Sequence, residues 1–584
     1  MQGAISRMRL RPLRVAGTPP RSATTGRRTI GAAAVALLGL TVLAAALLPR
    51  GPWGAIDPLP VPEGPAIALG HVLAAAGGLA LLACSWSLLL GRRRASILAA
   101  GGLFAAATLR LFHGAPVPAT LLEALLGTLL LLDRRSFPCG GPRGPIGAAS
   151  AVAGLALGGA YVLAVAALLQ ADATGIDAVT RATGWLAAGG WWLRSGEPLA
   201  IALDLLLVTA LGAAAVVLRA LLRPAEGAEG HTCDEHARAA ALVATWASDS
   251  LHPFVLREDK SFHFSHGGVL AYRTLGETAV VSGDPIGPPG AAPAVLASFE
   301  AFASERGWNV VVTGASEREL PGYRRLGFRA LRIGDEAVVR PAEFSLEGRR
   351  IRKVRQAVAR VRRRGWSVEV REAAELGPSE LEALGAIERA WRAAQPRLYG
   401  FAMTLGRLWG AEEDASAVYA LARDPEGRVR CFLRFAAYGR GLSLDVMRRL
   451  EGAPNGINEA LIVATIEYAR ERGREEVSLN FAGFSHVMAA EGPLPAWQHL
   501  LRWCLRRMHR RFQLERLVLF NGQFQPEWRP RHLVHRGPVL LPLAALRVLQ
   551  AEAYVRPPRR RPLAARWQPA PEPVRAPQLP AATA

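Results

Sequence analysis

Long apolar runs dominate the first part of the chain, and a mixed pattern of short apolar and polar stretches follows them. Each run approaches the roughly 20 residues that a helix needs to cross the core of a bilayer. The pattern therefore predicts about six membrane-spanning helices, at Ile30–Leu48, Ala66–Leu90, Ala95–Phe112, Val117–Leu132, Ile146–Leu169 and Leu199–Leu222.

The distribution of arginine predicts how these helices are oriented. Arginine clusters precede the first run and follow the second, fourth and sixth, whereas the other loops carry nearly balanced charge. By the positive-inside rule, the N-terminus and everything after residue 224 then lie in the cytoplasm. We predict a basic cytoplasmic leader over 1–29, a transmembrane domain over 30–224 and a multi-pass protein of the plasma membrane.

Beyond a polar linker at 225–232, short strands alternate with helices. Residues 233–345 follow the order β-β-β-α-β-α-β, and residues 346–545 contain a similar succession. Such an order predicts an α/β or α+β fold. We therefore expect two similar domains in tandem after the helical membrane domain. The last segment, 546–584, is rich in Pro and Arg and holds too few apolar residues to fold.

A strongly basic helix is predicted at the start of the second domain, over Leu346–Arg364. Four apolar residues recur at helical spacing and form one stripe, while no acidic residue occurs between Arg349 and Arg364. A solvated face is the simple explanation, but an anionic partner such as RNA or lipid headgroups fits the charge better. The expected phosphate-binding residues are Arg349, Arg352, Lys353, Arg355, Arg362 and Arg363.

Composition supports an anionic partner and a metal-free interior. The formal net charge is +22, and Lys260 and Lys353 are the only lysines, so arginine supplies almost all positive charge. Part of this basicity reflects the coding bias of a GC-rich genome. The five cysteines show neither paired spacing nor a metal-ligand pattern.

Polar residues cluster around one predicted hairpin strand. Strand alternation would place Leu442, Leu444 and Val446 on one face, and Ser443, Asp445 and Met447 on the other. Asn455 or Asn458 would cap the following helix, and Asn480 would end the neighbouring strand. These groups predict a site at the strand ends. A surface ion pair between Asp445 and Arg448 with ordinary helix capping explains the same residues.

Several segments of the chain resemble one known family. They are AYRTLGETAVVSGDPIGPP (271–289), PGYRRLGF (321–328), RRIRKVRQAVARVRRRGWSVEV (349–370), YGFAMTLGRL (399–408), SLDVMRRLEGAPNGINEALI (443–462) and VSLNFAGFS (477–485). In this order they resemble the C-terminal catalytic region of the multiple peptide resistance factor family, the phosphatidylglycerol lysyltransferases. VSLNFA is similar to the actinobacterial branch, in which a lysyl-tRNA synthetase is fused to this region.

The resemblance implies tandem acetyltransferase-like folds, an aminoacyl-tRNA donor, expected to be lysyl-tRNA, and the anionic lipid phosphatidylglycerol as acceptor. It also implies that Asp445 and Arg448 are catalytic. The expected substrate-binding residues are Ser443, Asn455, Glu459, Asn480, Arg407, Gly400 and Phe401. An aminoacyl-tRNA ester is already activated, so the reaction needs no cofactor or metal, in keeping with the lack of Walker, HExxH, GxSxG and Rossmann motifs.

Two departures and two alternatives accompany this interpretation. The membrane region is short for a lipid flippase, and no synthetase sequence follows, so we expect charged tRNA to come from elsewhere. An acyl-CoA-dependent N-acyltransferase would cradle pyrophosphate in a loop such as Arg397–Ala402, although a helix instead of a strand precedes it. A non-catalytic membrane scaffold that binds RNA or lipid is the other alternative. Homo-oligomer formation is left open.

Overall fold

The computed structural model describes residues 21–47, 66–112, 117–133, 136–137, 162, 198–222, 230–394, 400–483 and 514–555. The chain divides into two compact units. One comprises Met1–Ala225 with Phe302–Asn309, and the other comprises Glu226–Ala301 with Val310–Ala584.

The N-terminal unit is helical wherever it is described at length. Its helices are α1 (Arg21–Leu47), α2 (Ala66–Leu89), α3 (Arg93–Phe112), α4 (Val117–Leu132) and α5 (Pro198–Leu221). Five of the six apolar runs are therefore helices, and the run Ile146–Leu169 lies outside the described residues apart from Val162. In the described part of the chain, one segment, Gly26–Ala44, is long and apolar enough to cross a membrane. The arrangement of six spans remains a prediction.

Helices α1 and α2 approach each other closely at a pair of glycines. A Cβ atom added at Gly78 would lie 2.8 Å from the carbonyl oxygen of Gly39, and one added at Gly39 would lie 3.0 Å from that of Gly78. A side chain at either position would push the helices apart, because small residues are what permit such close backbone contact. The two glycines thus fix the register in which α1 and α2 pack, which apolar surfaces alone would not determine.

Within its described residues, the second unit is built on a single sheet of eleven strands. They are β1 (Ser261–Ser265), β2 (Gly268–Leu275), β3 (Thr278–Ser282), β4 (Asn309–Ser316), β5 (Arg329–Val339), β6 (Ser367–Glu372), β7 (Val418–Arg423), β8 (Val429–Tyr438), β9 (Gly441–Arg449), β10 (Glu476–Gly483) and β11 (Glu527–His535). Their order across the sheet is β1-β2-β3-β4-β11-β5-β10-β9-β8-β7-β6. β9 and β10 are parallel, whereas β10 is antiparallel to β5.

Helices accompany the strands along the chain. They are α6 (Cys233–Trp246), α7 (Ala292–Glu305), α8 (Leu320–Arg325), α9 (Arg352–Arg363), α10 (Pro378–Ala394), α11 (Ile457–Glu471), α12 (Leu514–Gly522) and α13 (Leu541–Ala551). α9 and α11 share a buried apolar cluster with Leu433, Phe435, Leu442 and Leu444. α10 packs with Tyr419, Leu421 and Phe432 in a different cluster. Neighbouring residues of a strand point to opposite faces, so α10 covers the sheet face opposite to α9 and α11.

The α/β class predicted from the sequence is confirmed, while several elements differ from expectation. The strands of both predicted domains join in one sheet, and β11 lies between β4 and β5. The boundary at 345/346 and the acetyltransferase-like pairing of two domains therefore remain predictions. The basic helix begins at Arg352 instead of Leu346. Residues 546–551, which we assigned to the tail, belong to α13.

Candidate active site

The strand that carries Asp445 is interrupted by a β-bulge. Phe435 of β8 pairs with Leu444, and Arg434 pairs with Val446, so Asp445 is the extra residue between them. The bulge reverses the alternation: Leu444 packs on the α11 side of the sheet, whereas Val446 packs with Tyr419 and Phe432 on the α10 side. The predicted common face of Leu442, Leu444 and Val446 is therefore wrong beyond Leu444.

The side chain of Asp445 is completely buried, and each of its carboxylate oxygens has a partner. Its Oδ1 accepts a hydrogen bond of 2.9 Å from the backbone N–H of Leu405, and its Oδ2 pairs with the guanidinium of Arg434. The side chain has no exposed surface. Burial raises the pKa of Asp445 above its ordinary value, although Arg434, the Leu405 amide and Arg448 act in the opposite direction. Asp445 thus links β9 to the segment around Leu405.

Arg434 extends this contact into a buried ionic network. Its second guanidinium nitrogen lies 2.7 Å from Asp414, and its Nε donates to the carbonyl of Leu408 at 3.1 Å. Asp414 in turn lies 2.9 Å from Nε of Arg407. Burial alone would lower the pKa of Arg434, but the negative charges of Asp445 and Asp414 raise it. The predicted substrate-binding residue Arg407 is therefore part of the support for this segment.

Arg448 does not pair with Asp445. Its Nε donates to Glu388 of α10, and its guanidinium carbon lies 3.6 Å from the centre of the Trp391 ring. Glu388 also accepts a hydrogen bond of 2.6 Å from Arg392. Burial opposes ionisation of Glu388, but its hydrogen bonds and ion pairs with the two arginines outweigh burial and lower its pKa. The surface ion pair proposed as the simple explanation is therefore wrong, since both residues are buried and have other partners.

Asn480 spans a gap that opens between β9 and β10. The two strands pair only from Gly441 to Ser443 and from Glu476 to Ser478. The Asn480 side chain then donates to the carbonyl of Leu444 at 2.8 Å and to that of Met403 at 2.9 Å. Its backbone is left-handed, with φ of +69°, at a bulge in β10. Asn480 and Asp445 consequently hold the same segment, 403–405, beside the gap.

A tight turn at Gly400 precedes segment 403–405. The φ of Gly400 is +84°, and its carbonyl accepts hydrogen bonds from the N–H groups of Met403 and Thr404. Phe401 is buried. Residues 397–399 of the loop proposed for pyrophosphate binding lie outside the described residues. The part that is described, Gly400–Ala402, leads into turns instead of a helix.

Three other predicted residues make none of the described hydrogen bonds that hold Asp445 and segment 403–405. The helix after β9 begins at Ile457, with Gly456 as its N-cap at φ +100° and no side-chain cap, so capping by Asn455 or Asn458 is wrong. A Cβ on Gly456 would contact Ala357 of α9 at 2.8 Å. Asn455 and Glu459 therefore belong to the α9 side of the sheet. Ser443 is buried on β9, and its hydroxyl has no hydrogen-bond partner among the described residues.

The basic helix forms one wall of a cleft. The predicted stripe of Ile351, Val354, Val358 and Val361 is confirmed as buried. The cleft has a volume of about 760 Å³ and is lined by Arg332, Asp335, Arg349, Arg350, Arg352, Lys353, Val518, Leu519, Gly522, Gln523 and Trp528. Arg355, Arg362 and Arg363 do not line it. Arg355 instead donates to the backbone carbonyls of Leu346 and Gly348.

Sequence reasoning missed the partners of the two predicted catalytic residues. Arg434 lies 11 positions from its partner Asp445, Asp414 lies 20 from its partner Arg434, and Glu388 lies 60 from its partner Arg448, so no local motif connects them. The one available signal was an arginine inside an apolar strand, since a buried charge needs a partner. In the described part of the chain, no group of three or more His, Cys, Asp or Glu side chains is arranged to hold a metal ion.

Known proteins are similar to the part of the chain that contains the candidate site. The sequence profile of the C-terminal region of phosphatidylglycerol lysyltransferase matches residues 240–535. The lysylphosphatidylglycerol biosynthesis bifunctional protein LysX of Rhodococcus opacus is 38% identical over 306 residues, which are 51% of this chain and 27% of the relative. LysX of Mycobacterium marinum is 35% identical over 353 residues, 59% of this chain and 31% of the relative. The match thus spans less than a third of the length of these relatives.

Two solved structures are also similar. L-PGS from Bacillus licheniformis aligns with a TM-score of 0.48 and 22% identity, covering 56% of this chain and 99% of that one. The C-terminal domain of a putative lysylphosphatidylglycerol synthetase from Agrobacterium fabrum aligns with a TM-score of 0.47 and 24% identity, covering 56% and 98%. Because the family profile matches about half of its residues, this chain belongs to the phosphatidylglycerol lysyltransferase family through its C-terminal region.

Proposed function

We propose that this chain is a membrane-bound transferase that moves an aminoacyl group, lysyl as the first candidate, from aminoacyl-tRNA to the glycerol hydroxyl of phosphatidylglycerol. The product carries an added amino group, so the reaction reduces the negative charge of the membrane. The carrying observation is that residues 240–535 match the lysyltransferase family and contain the Asp445–Asn480 arrangement beside the open gap of the sheet.

The reaction is an exchange of one ester for another. The lipid hydroxyl oxygen forms a bond with the aminoacyl carbonyl carbon, and the bond from that carbon to the ribose oxygen of tRNA breaks. The proton of the lipid hydroxyl ends on the released ribose oxygen. Because donor and product are both esters, placement of the two substrates and stabilisation of the developing oxyanion supply the rate enhancement.

The role that we propose for Asp445 is positioning. Both of its oxygens already accept hydrogen bonds or ion pairs from Leu405 and Arg434, and the side chain has no exposed surface. Together with Asn480 it fixes segment 403–405, whose backbone borders the gap. A general-base role for Asp445 would require this network to open and remains a prediction. Arg448, held by Glu388 and Trp391, is proposed to stabilise the same region of the gap from the α10 side.

The cleft beside α9 is proposed to hold phosphate groups of a substrate. Among the described residues, Arg349, Arg350, Arg352 and Lys353 form no ion pair with an acid, and all four are exposed. Uncompensated, clustered cations attract phosphates strongly. The adjoining Leu519 is 72% exposed, which also gives the cleft an apolar rim. The proposed partners are thus aminoacyl-tRNA, an anionic phospholipid and the membrane, with the catalytic region in the cytoplasm.

Expression in a host that lacks aminoacylated lipids tests the proposal. Lipid mass spectrometry should reveal a phosphatidylglycerol derivative heavier by one aminoacyl residue, and the mass difference identifies the amino acid. The same host with the Asp445→Asn variant is the matched control. A membrane-inserted wild-type chain that produces no new lipid with charged tRNA present would contradict the proposal.

A further inference from the structure

One of the two lysines of this arginine-rich chain is completely buried next to the candidate site. Lys260 has no exposed surface, and its ammonium donates to the carbonyl of Phe254 at 2.6 Å and to the hydroxyl of Ser282 at 2.7 Å. It also lies 4.6 Å from the centre of the Phe401 ring. These three partners match the three N–H groups of an ammonium ion. A guanidinium would bring five N–H groups to the same place, so arginine does not substitute here.

Two further charged residues, Glu552 and Arg257, hold Gly400–Ala402, the segment that contains Phe401. Glu552, at the end of α13, accepts hydrogen bonds from the backbone N–H of Phe401 at 2.7 Å and of Ala402 at 3.3 Å. Arg257 donates to the carbonyl of Gly400 at 3.0 Å. The carbonyl of Gly400 and the N–H groups of Phe401 and Ala402 thus all bond to the side chains of two buried residues, Arg257 and Glu552. The next contacts along the segment are those of Met403 with Asn480 and of Leu405 with Asp445.

We propose that Lys260, Arg257 and Glu552 form a positioning clamp for Gly400–Ala402, and that the clamp holds this segment in place for aminoacyl transfer only while Lys260 is an ammonium ion. The neutral amine can still donate to the Phe254 carbonyl and can accept a hydrogen bond from the Ser282 hydroxyl, so the contact that deprotonation removes is that of the positive charge with the Phe401 ring. The electron-rich face of Phe401 attracts a cation and not a lone pair. Loss of the proton also removes the positive charge that faces Glu552.

The electrostatic surroundings put this change in the physiological range. Burial, followed by the nearby charge of Arg257, lowers the pKa of Lys260 to about 7, while Asp259 and Glu552 act to raise it. Arg257 is itself paired with Asp259, at 3.1 Å. Burial raises the pKa of Glu552, whereas the Phe401 and Ala402 amides, Arg257 and Lys260 lower it. Deprotonation of Lys260 therefore weakens the clamp as the pH rises through about 7.

Hydrogen exchange on the full chain in membranes tests the clamp without relying on the proposed function. The amides of Phe401 and Ala402 should exchange at least about tenfold faster in Lys260→Met than in the wild type at pH 6, because Glu552, which accepts from both N–H groups, loses the positive charge that faces it. Wild-type protection, corrected for intrinsic exchange, should fall between pH 6 and pH 8.5. Arg273→Met is the matched control, since Arg273 pairs with Asp259 at 3.0 Å and contacts no part of Gly400–Ala402. It should leave protection unchanged.

The rate of aminoacyl transfer provides the second measurement, and this one depends on the proposed function. Wild-type kcat should decline as the pH rises through about 7, and this step should be absent in Lys260→Met, whose kcat is expected to be about tenfold lower at pH 6. Should Lys260→Met fail to fold, Glu552→Gln and the wild-type pH series replace it. Equal protection of Phe401 and Ala402 in the folded variants and the wild type at every pH would overturn the clamp. Lost protection together with a wild type that transfers nothing would retain the clamp and refute the function.

Discussion

At the scale of single residues, the candidate site consists of one backbone segment held by side chains from distant parts of the chain. Asp445 fixes Leu405, Asn480 fixes Met403, and Glu552 fixes Phe401. Each contact uses a backbone N–H or carbonyl, so the positions of these groups are determined irrespective of the side chains of the segment. We expect substitutions of the anchoring residues to alter the rate more than the binding of substrate.

The variant Asp445→Asn tests this expectation directly. The amide keeps the shape of the carboxylate but removes the charge opposite Arg434, and breaking a buried ion pair costs about 3–5 kcal/mol. The rate of transfer should fall at least about tenfold in a variant that still folds. Purified membranes, assayed for lipid product and for thermal unfolding of the chain, provide both numbers.

Asp414→Asn is the matched control for this variant. Asp414 also pairs with Arg434, at 2.7 Å, but the Leu405 amide bonds to Asp445 instead. We expect the two variants to lose similar stability and Asp445→Asn to lose more activity. Equal activity in both would assign Asp445 to general support of the fold.

Substitutions at Asn480 separate the effect of its left-handed backbone from the effect of its side-chain hydrogen bonds. Its φ of +69° suits glycine, so Asn480→Gly removes the two hydrogen bonds that the side chain donates, and the one that its Oδ1 accepts from the Phe481 N–H, without adding backbone strain. Asn480→Ala removes the same hydrogen bonds and adds roughly 1–2 kcal/mol for a left-handed alanine. Transfer rates should fall by similar factors in both variants, whereas only Asn480→Ala should unfold at a markedly lower temperature. A wild-type rate in Asn480→Gly would mean that the bridge to Met403 and Leu444 is dispensable.

Sequence patterns singled out Asp445, Arg448 and Asn480 as candidates but could not predict their contacts. Strand alternation was correct up to Leu444 and failed at the bulge, because the extra residue depends on the pairing partner in β8. Capping by Asn455 was expected from its residue type, yet Gly456 takes the position because Ala357 of α9 leaves no room for a Cβ atom. Both errors arise from contacts between elements that are distant in sequence.

At the scale of elements, β11 explains why the sheet is continuous. It pairs with β4 on one side and β5 on the other, and its Arg531 lies 2.9 Å from Asp249 and is also paired with Glu336. Its sequence, EWRPRHLVH, contains a proline and several charges, so it does not have the pattern of a central strand. The charges are tolerated because partners from other elements compensate them. No local pattern could have predicted this strand.

The basic helix yields a prediction at this scale. If its exposed cations bind tRNA phosphates, then replacing Arg352, Arg362 and Arg363 together with Gln should weaken tRNA binding and reduce the slope of log K against log salt by up to about 0.9 for each lost contact in duplex RNA regions, by analogy with B-DNA. Filter binding or fluorescence anisotropy at several salt concentrations measures the slope. Arg355 is left intact because it supports the Leu346–Gly348 backbone.

Arg428→Gln is the control for that experiment. Arg428 is 67% exposed and lies between β7 and β8, paired with Asp424 and Glu426. Because Asp424 and Glu426 already neutralise the charge of Arg428, this residue should release few counterions from the phosphates of tRNA. The variant should therefore leave the slope unchanged. An unchanged slope in the triple variant as well would remove tRNA from the proposed ligands of the helix and leave the lipid headgroup.

At the scale of the whole molecule, the chain joins an apolar helical unit to a strongly basic α/β unit. The net charge of +22 and the cations around the cleft favour any polyanion, whether tRNA or a membrane surface rich in anionic lipid. Charge therefore predicted the class of partner from the sequence but could not distinguish its members. The distinction depends on the chemistry at the gap between β9 and β10. There, family membership is the reason to propose aminoacyl transfer, and the geometry indicates which residues would take part.

Depleting each candidate donor from one membrane preparation distinguishes the three functions considered. We expect ribonuclease treatment to abolish formation of the aminoacylated lipid and added charged tRNA to restore it, because the activated ester resides on the tRNA. Removal of coenzyme A should have no effect. The reverse pattern would assign the chain to acyl-CoA-dependent N-acyltransferases, and a preparation indifferent to both treatments would indicate a scaffold. Membranes that carry Asp445→Asn, treated in parallel, establish that the measured lipid arises from this site.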